Sequence, residues 1–244
     1  MKFTVNTMAF GQDDYFYSAT FEPTEIVKWN LVKGTSEVAF TADYTAVLRF
    51  SQNGQYVIFP NSDDSWCYFN CAYDIWDLNN KKLISNLTLG FLTVFDTDRN
   101  QLATSMFSGV SQETPILIID MQSGEERTEI NGGTNINFLS FSPQGKYILI
   151  VGKALMNGPY HLHIWDIITN TKVLDTEFQE KFINATFSPD EESVLIATSN
   201  PSSILWDLTN GKSEQYFTHD DQVQWASMSE DGMYIVSAGL DHTI

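Results

Sequence analysis

A short phrase recurs five times along the chain at a nearly constant interval. It usually contains an apolar residue, then Trp, then Asp or Asn, then a second apolar residue, and a polar turn follows. The five copies are Lys28-Trp29-Asn30-Leu31, Ile75-Trp76-Asp77-Leu78, Ile118-Ile119-Asp120-Met121, Ile164-Trp165-Asp166-Ile167 and Leu205-Trp206-Asp207-Leu208. Their second residues are 47, 43, 46 and 41 positions apart. Such a repeat restricts the chain to architectures in which one structural unit recurs and stacks on its neighbours.

A second phrase, Phe-Ser-X-X-Gly-X-Tyr, runs in phase with the first. Its clearest copies are 50–56 and 141–147, and looser copies begin at Phe187 and Met228. The Ser, Pro and Gly residues predict a tight turn, because Pro presets φ and Gly accepts a positive φ. The turns join short runs rich in β-branched and aromatic residues. Each unit of about 40 to 45 residues is therefore predicted to hold four short strands.

The two phrases resemble those of the WD-repeat proteins, and the resemblance spans essentially all 244 residues. It implies an all-β fold, a β-propeller of four-stranded antiparallel blades, with about five complete blades and a partial sixth. We expect one domain, with blades at approximately 1–41, 42–89, 90–131, 132–178, 179–218 and 219–244. By the observed interval the next Trp would fall about three residues beyond Ile244. This spacing predicts a chain that is cut inside its sixth unit.

The resemblance also implies structural roles for the residues of the repeat. In the family, a His joins a Ser, an Asp and the Trp in a hydrogen-bond network within one blade, and the last repeat supplies His219, Ser237 and Asp241 at matching positions. An Asp that is repeated in every unit serves blade geometry rather than a single active site. The predicted structural residues are Trp29, Trp76, Asp77, Asp120, Trp165, Asp166, Trp206, Asp207, His219, Ser237 and Asp241.

The family's strand order places the loops after the second and fourth strands of each blade on one face. The longest such loop follows Pro60 and carries three aromatic residues and two acids. Loops on a rigid scaffold often bind partners, and aromatic residues beside charges are common interface anchors. The predicted contact site contains Trp66, Tyr68, Phe69, Asp63, Asp64, Tyr160, Asp220 and Asp221. Alternatively, the aromatic side chains fold back and cover the edge of their blade.

Charge limits the classes of partner. The chain has 31 acidic and 13 basic residues and a net charge of -18. Nucleic acids and anionic membranes are bound largely through Lys and Arg, so neither is an expected partner. Proteins with basic segments are favoured electrostatically, although the charge could simply maintain solubility. The chain lacks a signal-peptide pattern and a long apolar stretch, which predicts an intracellular, cytoplasmic protein without membrane insertion. The oligomeric state stays open.

Catalytic and metal-binding patterns are poor. His161 and His163 alternate along one predicted strand, but no spaced Cys or carboxylate partner completes a metal site. Cys67 and Cys71 form one Cys-X3-Cys pair, and in a reducing compartment free thiols are favoured over a disulfide. Phosphate-binding loops and nucleophile-elbow motifs are missing from the sequence. We expect no metal and no cofactor.

These observations favour a non-catalytic protein-interaction scaffold that acts as a subunit of a larger complex. The alternative is a propeller enzyme of the hydrolase type, whose channel site would be completed by blades outside this chain. Fold alone does not separate the two, because propellers carry many functions.

Overall fold

The computed structural model describes residues 5–11, 14–20, 24–42, 49–51, 53–60, 71–90, 92–106, 113–153 and 158–244. Within these ranges all the regular secondary structure is β-strand, arranged in six sheets that follow one another along the chain. Five sheets have four strands in the order of the sequence, and the sixth has two. This architecture confirms the predicted all-β propeller of four-stranded antiparallel blades.

The strands are numbered along the chain. Sheet 1 contains β1 (Val5–Phe10), β2 (Tyr15–Thr20), β3 (Thr24–Asn30) and β4 (Thr35–Ala42). Sheet 2 contains β5 (Arg49–Phe50), β6 (Tyr56–Pro60), β7 (Cys71–Asp77) and β8 (Lys82–Leu89). Sheet 3 contains β9 (Thr93–Asp96), β10 (Gln101–Ser105), β11 (Pro115–Asp120) and β12 (Glu126–Asn131).

The remaining strands build the second half. Sheet 4 contains β13 (Ile136–Phe141), β14 (Tyr147–Lys153), β15 (Tyr160–Asp166) and β16 (Thr171–Phe178). Sheet 5 contains β17 (Phe182–Phe187), β18 (Ser193–Thr198), β19 (Ser202–Asp207) and β20 (Ser213–Thr218). Sheet 6 contains β21 (Val223–Met228) and β22 (Ile235–Gly239).

The Phe-Ser-X-X-Gly phrase forms the turn between the first two strands of a sheet. In sheet 4 the Ser142 hydroxyl accepts a hydrogen bond from the backbone N–H of Tyr147 at 2.8 Å, and Gly145 has a φ of 64°. The same bond recurs at Ser51, Ser188 and Ser229. The turn therefore requires a residue with positive φ three positions after its Ser, which explains the Gly of the phrase.

The Trp-Asp phrase ends the third strand, and its Asp builds the turn that follows. Oδ1 of Asp166 accepts hydrogen bonds from the backbone N–H groups of Ile168 and Thr169 at 2.9 and 3.0 Å. Two backbone N–H groups are accepted in the same way by Asn30, Asp77, Asp120 and Asp207. A short polar side chain that bonds its own following backbone favours a turn over a continued strand. The repeated Asp thus has a local, structural role in each unit.

The chain divides into two compact units. Unit 1 comprises Met1–Phe107 with Pro115–Glu129, and unit 2 comprises Ser108–Thr114 with Ile130–Ile244. In unit 1, one apolar core joins sheets 1 and 2 and another joins sheets 2 and 3. The strands of sheet 2 alternate between these cores, since Val57 and Phe59 enter the first and Ile58 the second. Full burial of each such side chain contributes about 1.5 to 3 kcal/mol.

Unit 2 is built in the same way. Leu149, Val151, Leu162 and Ile164 of sheet 4 pack with residues of sheet 5 in one core. On the other face of sheet 5, Leu195 and Ala197 pack with Val223 and Ala226 of sheet 6. The continuous apolar run 194–197 within β18 therefore belongs to a strand that is covered on both faces.

Candidate interaction surface

The predicted contact residues fall into two groups. Trp66, Tyr68, Phe69, Asp63 and Asp64 lie outside the described residues. Tyr160, Asp220 and Asp221 lie in unit 2, at loops that follow a second or a fourth strand. Because the strands of each sheet run antiparallel in sequence order, these two kinds of loop share one end of their sheets. The structure therefore places three predicted contact residues at loops of this type.

Tyr160 begins β15, and its ring is held in an aromatic cluster. The ring stacks on Phe178 with centroids 5.8 Å apart and an interplanar angle of 8°. Phe178 lies 6.3 Å from Phe182, which in turn makes an edge contact with Phe138 at 5.1 Å. The Lys153 ammonium lies 4.9 Å from the Tyr160 centroid, within cation–π range. Tyr160 is half-buried, and its ring packs against the aromatic cluster in addition to its predicted contact role.

Asp220 and Asp221 are exposed in the loop between β20 and β21, and the loop is fixed by its backbone. The N–H of Asp220 donates to Oδ2 of Asp241 at 2.9 Å. The flanking N–H groups of His219 and Val223 donate to the carbonyls of Pro201 at 2.9 Å and Asn200 at 3.2 Å. Two adjacent carboxylates are therefore presented from a constrained backbone, which lowers the entropy lost when a partner binds.

A polar network lies directly beneath this acidic loop. Nε2 of His219 lies 2.8 Å from Oγ of Ser237, and Nδ1 lies 3.2 Å from both carboxylate oxygens of Asp241. Thr243 Oγ1 lies 3.0 Å from the same Nδ1. A side chain at Gly239 would collide with this network, because an added Cβ would lie 2.6 Å from the ring of His219. The structure thus brings His219, Ser237 and Asp241 together, at the positions that the repeat pattern singled out.

The electrostatics of Asp241 follow from these bonds. Desolvation acts to raise its pKa, but hydrogen bonds from the backbone N–H groups of Thr243 and Asp220, from the Thr243 hydroxyl and from His219 outweigh it. The pKa of Asp241 therefore lies well below its usual range. The carboxylate stays ionised and continues to accept the N–H of Asp220 across the neutral range.

Ser237, His219 and Asp241 have the order of contacts seen in a Ser-His-Asp hydrolase site. However, Ser237 is only 5% exposed and His219 only 8%, so the hydroxyl is closed off from a substrate. A nucleophile must reach the scissile carbonyl, with oxyanion donors about 3 Å from the developing charge. Within this network, Asp241 accepts the N–H of Asp220 and so links the buried residues to the Asp220–Asp221 loop.

The Trp residues of the repeat have unequal surroundings. Nε1 of Trp29 donates to Oγ of Ser18 at 2.8 Å. Trp29 pairs with Phe16 on β2, so Ser18 lies two residues further along that strand. In sheets 2, 4 and 5 that position holds an apolar side chain. The Nε1 groups of Trp76, Trp165 and Trp206 are buried, and none has a hydrogen-bond partner among the described residues. The corresponding apolar residues are Phe59, Ile150 and Ile196.

His161 and His163 share one face of β15, as their alternation predicts. His163 Nδ1 lies 2.9 Å from Asp175 Oδ1, a contact that becomes an ion pair when the imidazole is protonated. Burial lowers the pKa of His163, Lys172 lowers it further, and Asp175 opposes the shift. Within the described ranges no group of three or more His, Cys, Asp or Glu side chains is arranged to hold a metal ion.

The prediction of free thiols is wrong for Cys71, which is disulfide-bonded and 5% exposed at the start of β7. A reducing compartment disfavours disulfides in general, but the formation of a particular disulfide depends on the distance between its two Cβ atoms, which the sequence spacing does not give. The described part of the chain also contains no long apolar helix of the kind that crosses a membrane.

Comparisons with known proteins add family relationships. A family model described as eukaryotic translation initiation factor eIF2A matches residues 109–205. Histone acetyltransferase type B subunit 2 of Candida glabrata is 24% identical over 176 residues, which cover 69% of this chain and 40% of that protein. Transcription factor unc-37 of Caenorhabditis elegans is 29% identical over 102 residues, 41% of this chain and 16% of that protein. The chain therefore spans less than half the length of these curated relatives.

A solved structure supports the fold. The hydrazine synthase of Kuenenia stuttgartiensis superposes with a TM-score of 0.66 at 12% identity, over 96% of this chain and 73% of that chain. At such low identity the likeness concerns the fold and carries no information on chemistry. Together with the two phased phrases and the four-stranded sheets, the relatives support the resemblance of the chain to the WD-repeat β-propeller family.

Proposed function

We propose that the chain is a non-catalytic scaffold that binds partner proteins through its loops, as a subunit of a larger complex. The observation that carries the proposal is the exposed Asp220–Asp221 pair on a loop fixed by the buried His219 network. In this proposal the network supports the Asp220–Asp221 loop, and the Ser237 hydroxyl is too buried to reach a substrate. Tyr160 and the loop at 61–70 extend the proposed contact residues.

The names of the relatives support a role in complexes. One is a subunit of a histone acetyltransferase and another is a transcription factor. By analogy we place this chain inside the cell, in a multiprotein assembly. The cytoplasm is the first compartment to test by imaging the tagged protein. The disulfide at Cys71 makes that test informative, because disulfides rarely persist in reducing compartments.

The proposed partners carry basic segments. A net charge of -18 favours such partners at long range, and two adjacent carboxylates on a fixed loop would select them at contact. Binding through these groups should weaken as salt screens the charges. A nucleic-acid partner would instead require a basic surface.

The test is affinity capture of partners with the intact gene product as bait, beside two variant baits. One carries Asp220→Asn with Asp221→Asn, and the other carries Ala at Trp66, Tyr68 and Phe69. The matched control changes the exposed pair Glu125 and Glu126 to Gln, which removes the same charge from sheet 3. We expect partners that bind wild type and control but leave a loop variant. Partners that all baits retain equally would reject the proposed contact residues.

The hydrolase alternative has its own test. A fluorophosphonate probe labels an activated, accessible Ser, and we expect no labelling of Ser237 because it is buried. Stoichiometric labelling that is lost in Ser237→Ala would reject the scaffold proposal in favour of catalysis.

A further inference from the structure

A small pocket in sheet 1 is lined mainly by hydrogen-bond donors. It has a volume of about 190 Å³ and lies between the end of β3, the turn that follows and the start of β4. Its lining residues are Tyr15, Lys28, Asn30, Lys33, Thr35, Ser36 and Glu37. The volume is below the roughly 300 to 1,000 Å³ of pockets for drug-sized ligands, so the pocket suits a small head group.

Lys28 is preorganised within this pocket. Its ammonium lies 4.1 Å from the centroid of the Tyr15 ring and 5.8 Å from that of Tyr17, so two aromatic faces fix it. Tyr17 is 2% exposed and makes a further contact from its hydroxyl to Oδ1 of Asn79 at 3.3 Å. A lysine held in place loses less side-chain entropy on binding a ligand than a free one.

The other lining groups add donors. Oδ1 of Asn30 already accepts the backbone N–H groups of Val32 and Lys33 at 3.1 and 2.7 Å, so the free part of that side chain is its NH₂ group. Lys33 contributes a second ammonium, and Thr35 and Ser36 contribute exposed hydroxyls. Glu37 is the one acid in the lining, and neither lysine forms an ion pair with it in the described structure.

We propose that this pocket binds a dianionic phosphate group. Two ammonium groups with an amide and hydroxyl donors match the several acceptor oxygens of a phosphate monoester better than a single carboxylate. The overall charge of the chain opposes such a ligand only at long range, because the Debye length is about 8 Å at physiological salt. The pocket thus gives an acidic protein one local site for an anion, on a different unit from the Asp220–Asp221 loop.

The experiment is an NMR titration of the ¹⁵N-labelled full chain at constant ionic strength. The probes are inorganic phosphate, a phosphoserine tetrapeptide and the same peptide without phosphate. We expect saturable shifts of the amides between Asn30 and Glu37 with both phosphate probes and none with the unphosphorylated peptide. Tighter binding of the phosphopeptide would assign the group to a partner protein, and equal affinity would assign it to the free ion.

The variants separate a built site from general attraction. Lys28→Met should weaken phosphate binding about tenfold, as expected for loss of one charged hydrogen bond. If Lys28→Met does not fold, Lys33→Met serves as a second variant, because Lys33 lies in an exposed turn and its loss should also weaken phosphate binding. Glu37→Gln should tighten binding because it removes the competing acid. Lys212→Met, beside the equivalent turn of sheet 5, should leave binding unchanged. Equal loss in Lys28→Met and Lys212→Met, or shifts spread over the whole chain, would overturn the proposal.

Discussion

At the scale of single residues, the repeat imposes a backbone conformation more strictly than it imposes a side chain. The fourth residue after the Asp or Asn of the Trp-Asp phrase has a positive φ in every complete sheet. It is Gly in three sheets, but it is Lys81 (φ 51°) in sheet 2 and Asn170 (φ 51°) in sheet 4. Glu191 (φ 61°) likewise stands where the first turns of sheets 2, 4 and 6 have Gly. The chain therefore tolerates local strain at a few of its turns.

Lys81→Gly should stabilise the chain. Replacing a left-handed Lys relieves about 1 to 2 kcal/mol of strain, offset by about 0.4 to 1 kcal/mol of extra entropy in the unfolded chain. The net gain should be about 0.5 kcal/mol in urea unfolding. Gly211→Ala is the matched control, because its φ is 68° and an added Cβ meets no atom within 4 Å. It should cost about 0.5 kcal/mol, because the strain gained exceeds the unfolded-state entropy removed. A change of the same sign in both variants would contradict the strain argument.

Buried hydroxyls give a second residue-scale comparison. Ser203 is fully buried and its hydroxyl has no hydrogen-bond partner in the described part of the chain, whereas the hydroxyl of Ser18 accepts the indole N–H of Trp29. Ser203→Ala should therefore be neutral or stabilise by up to about 1 kcal/mol, and Ser18→Ala should destabilise by about 1 kcal/mol. Both values come from chemical unfolding of the full chain. A larger loss at Ser203 than at Ser18 would show that Ser203 is satisfied in solution.

The depressed pKa of Asp241 predicts that the unfolding free energy falls at acidic pH. Its pKa is depressed in the folded state relative to about 3.9 in the unfolded chain. The unfolded state thus binds the proton more readily, and the stabilisation is fully present above the unfolded pKa and lost as pH falls towards the folded pKa. Between pH 5 and pH 2, the unfolding free energy of the Asp241→Asn variant should therefore fall less steeply than that of the wild type. The same pH slope in wild type and variant would refute this assignment.

At the scale of strands and sheets, much of the architecture could be predicted because turn chemistry is local. Ser51, Asp77 and their counterparts bond backbone groups within five residues, so the phrases contain the whole turn. The missing hydrogen-bond partner of the Trp206 indole, among the described residues, could not be predicted in this way. It depends on which residue of the neighbouring strand lies beside the indole, and that residue is Ile196. The stack of Tyr160 on Phe178 also depends on cross-strand register, which composition and spacing leave undefined.

One side chain joins two neighbouring sheets of unit 2. Nδ2 of Asn184 on β17 donates to the carbonyl of Ala226 on β21 at 2.6 Å, and Oδ1 accepts the N–H of Ala226 at 3.3 Å. Asn184 is 6% exposed, so its loss leaves buried backbone groups unpaired. Asn184→Ala should cost about 2 kcal/mol or more in unfolding free energy. The control Asn86→Ala, at an exposed site on β8, should change stability by less than about 0.5 kcal/mol.

At the scale of the whole molecule, the net charge affects the stability of the folded state. With 31 acidic and 13 basic residues, like charges face one another across the surface, and self-repulsion opposes the compact state. The ion pairs in the described ranges are few, and most of their side chains are partly exposed, so each contributes little. Repulsion rather than specific pairing should therefore govern the response of the protein to salt.

We expect sodium chloride to raise the unfolding temperature at pH 7. Raising the salt from about 0.05 M to 0.5 M shortens the Debye length to a few ångströms and screens the repulsion between exposed carboxylates. The gain should be largest at low salt and should level off, since hydrophobic cores respond little over this range. Potassium glutamate at equal ionic strength should give a comparable early rise if screening is the cause. A melting temperature that falls with added chloride would show that attractive pairs, rather than the net charge of -18, dominate the surface.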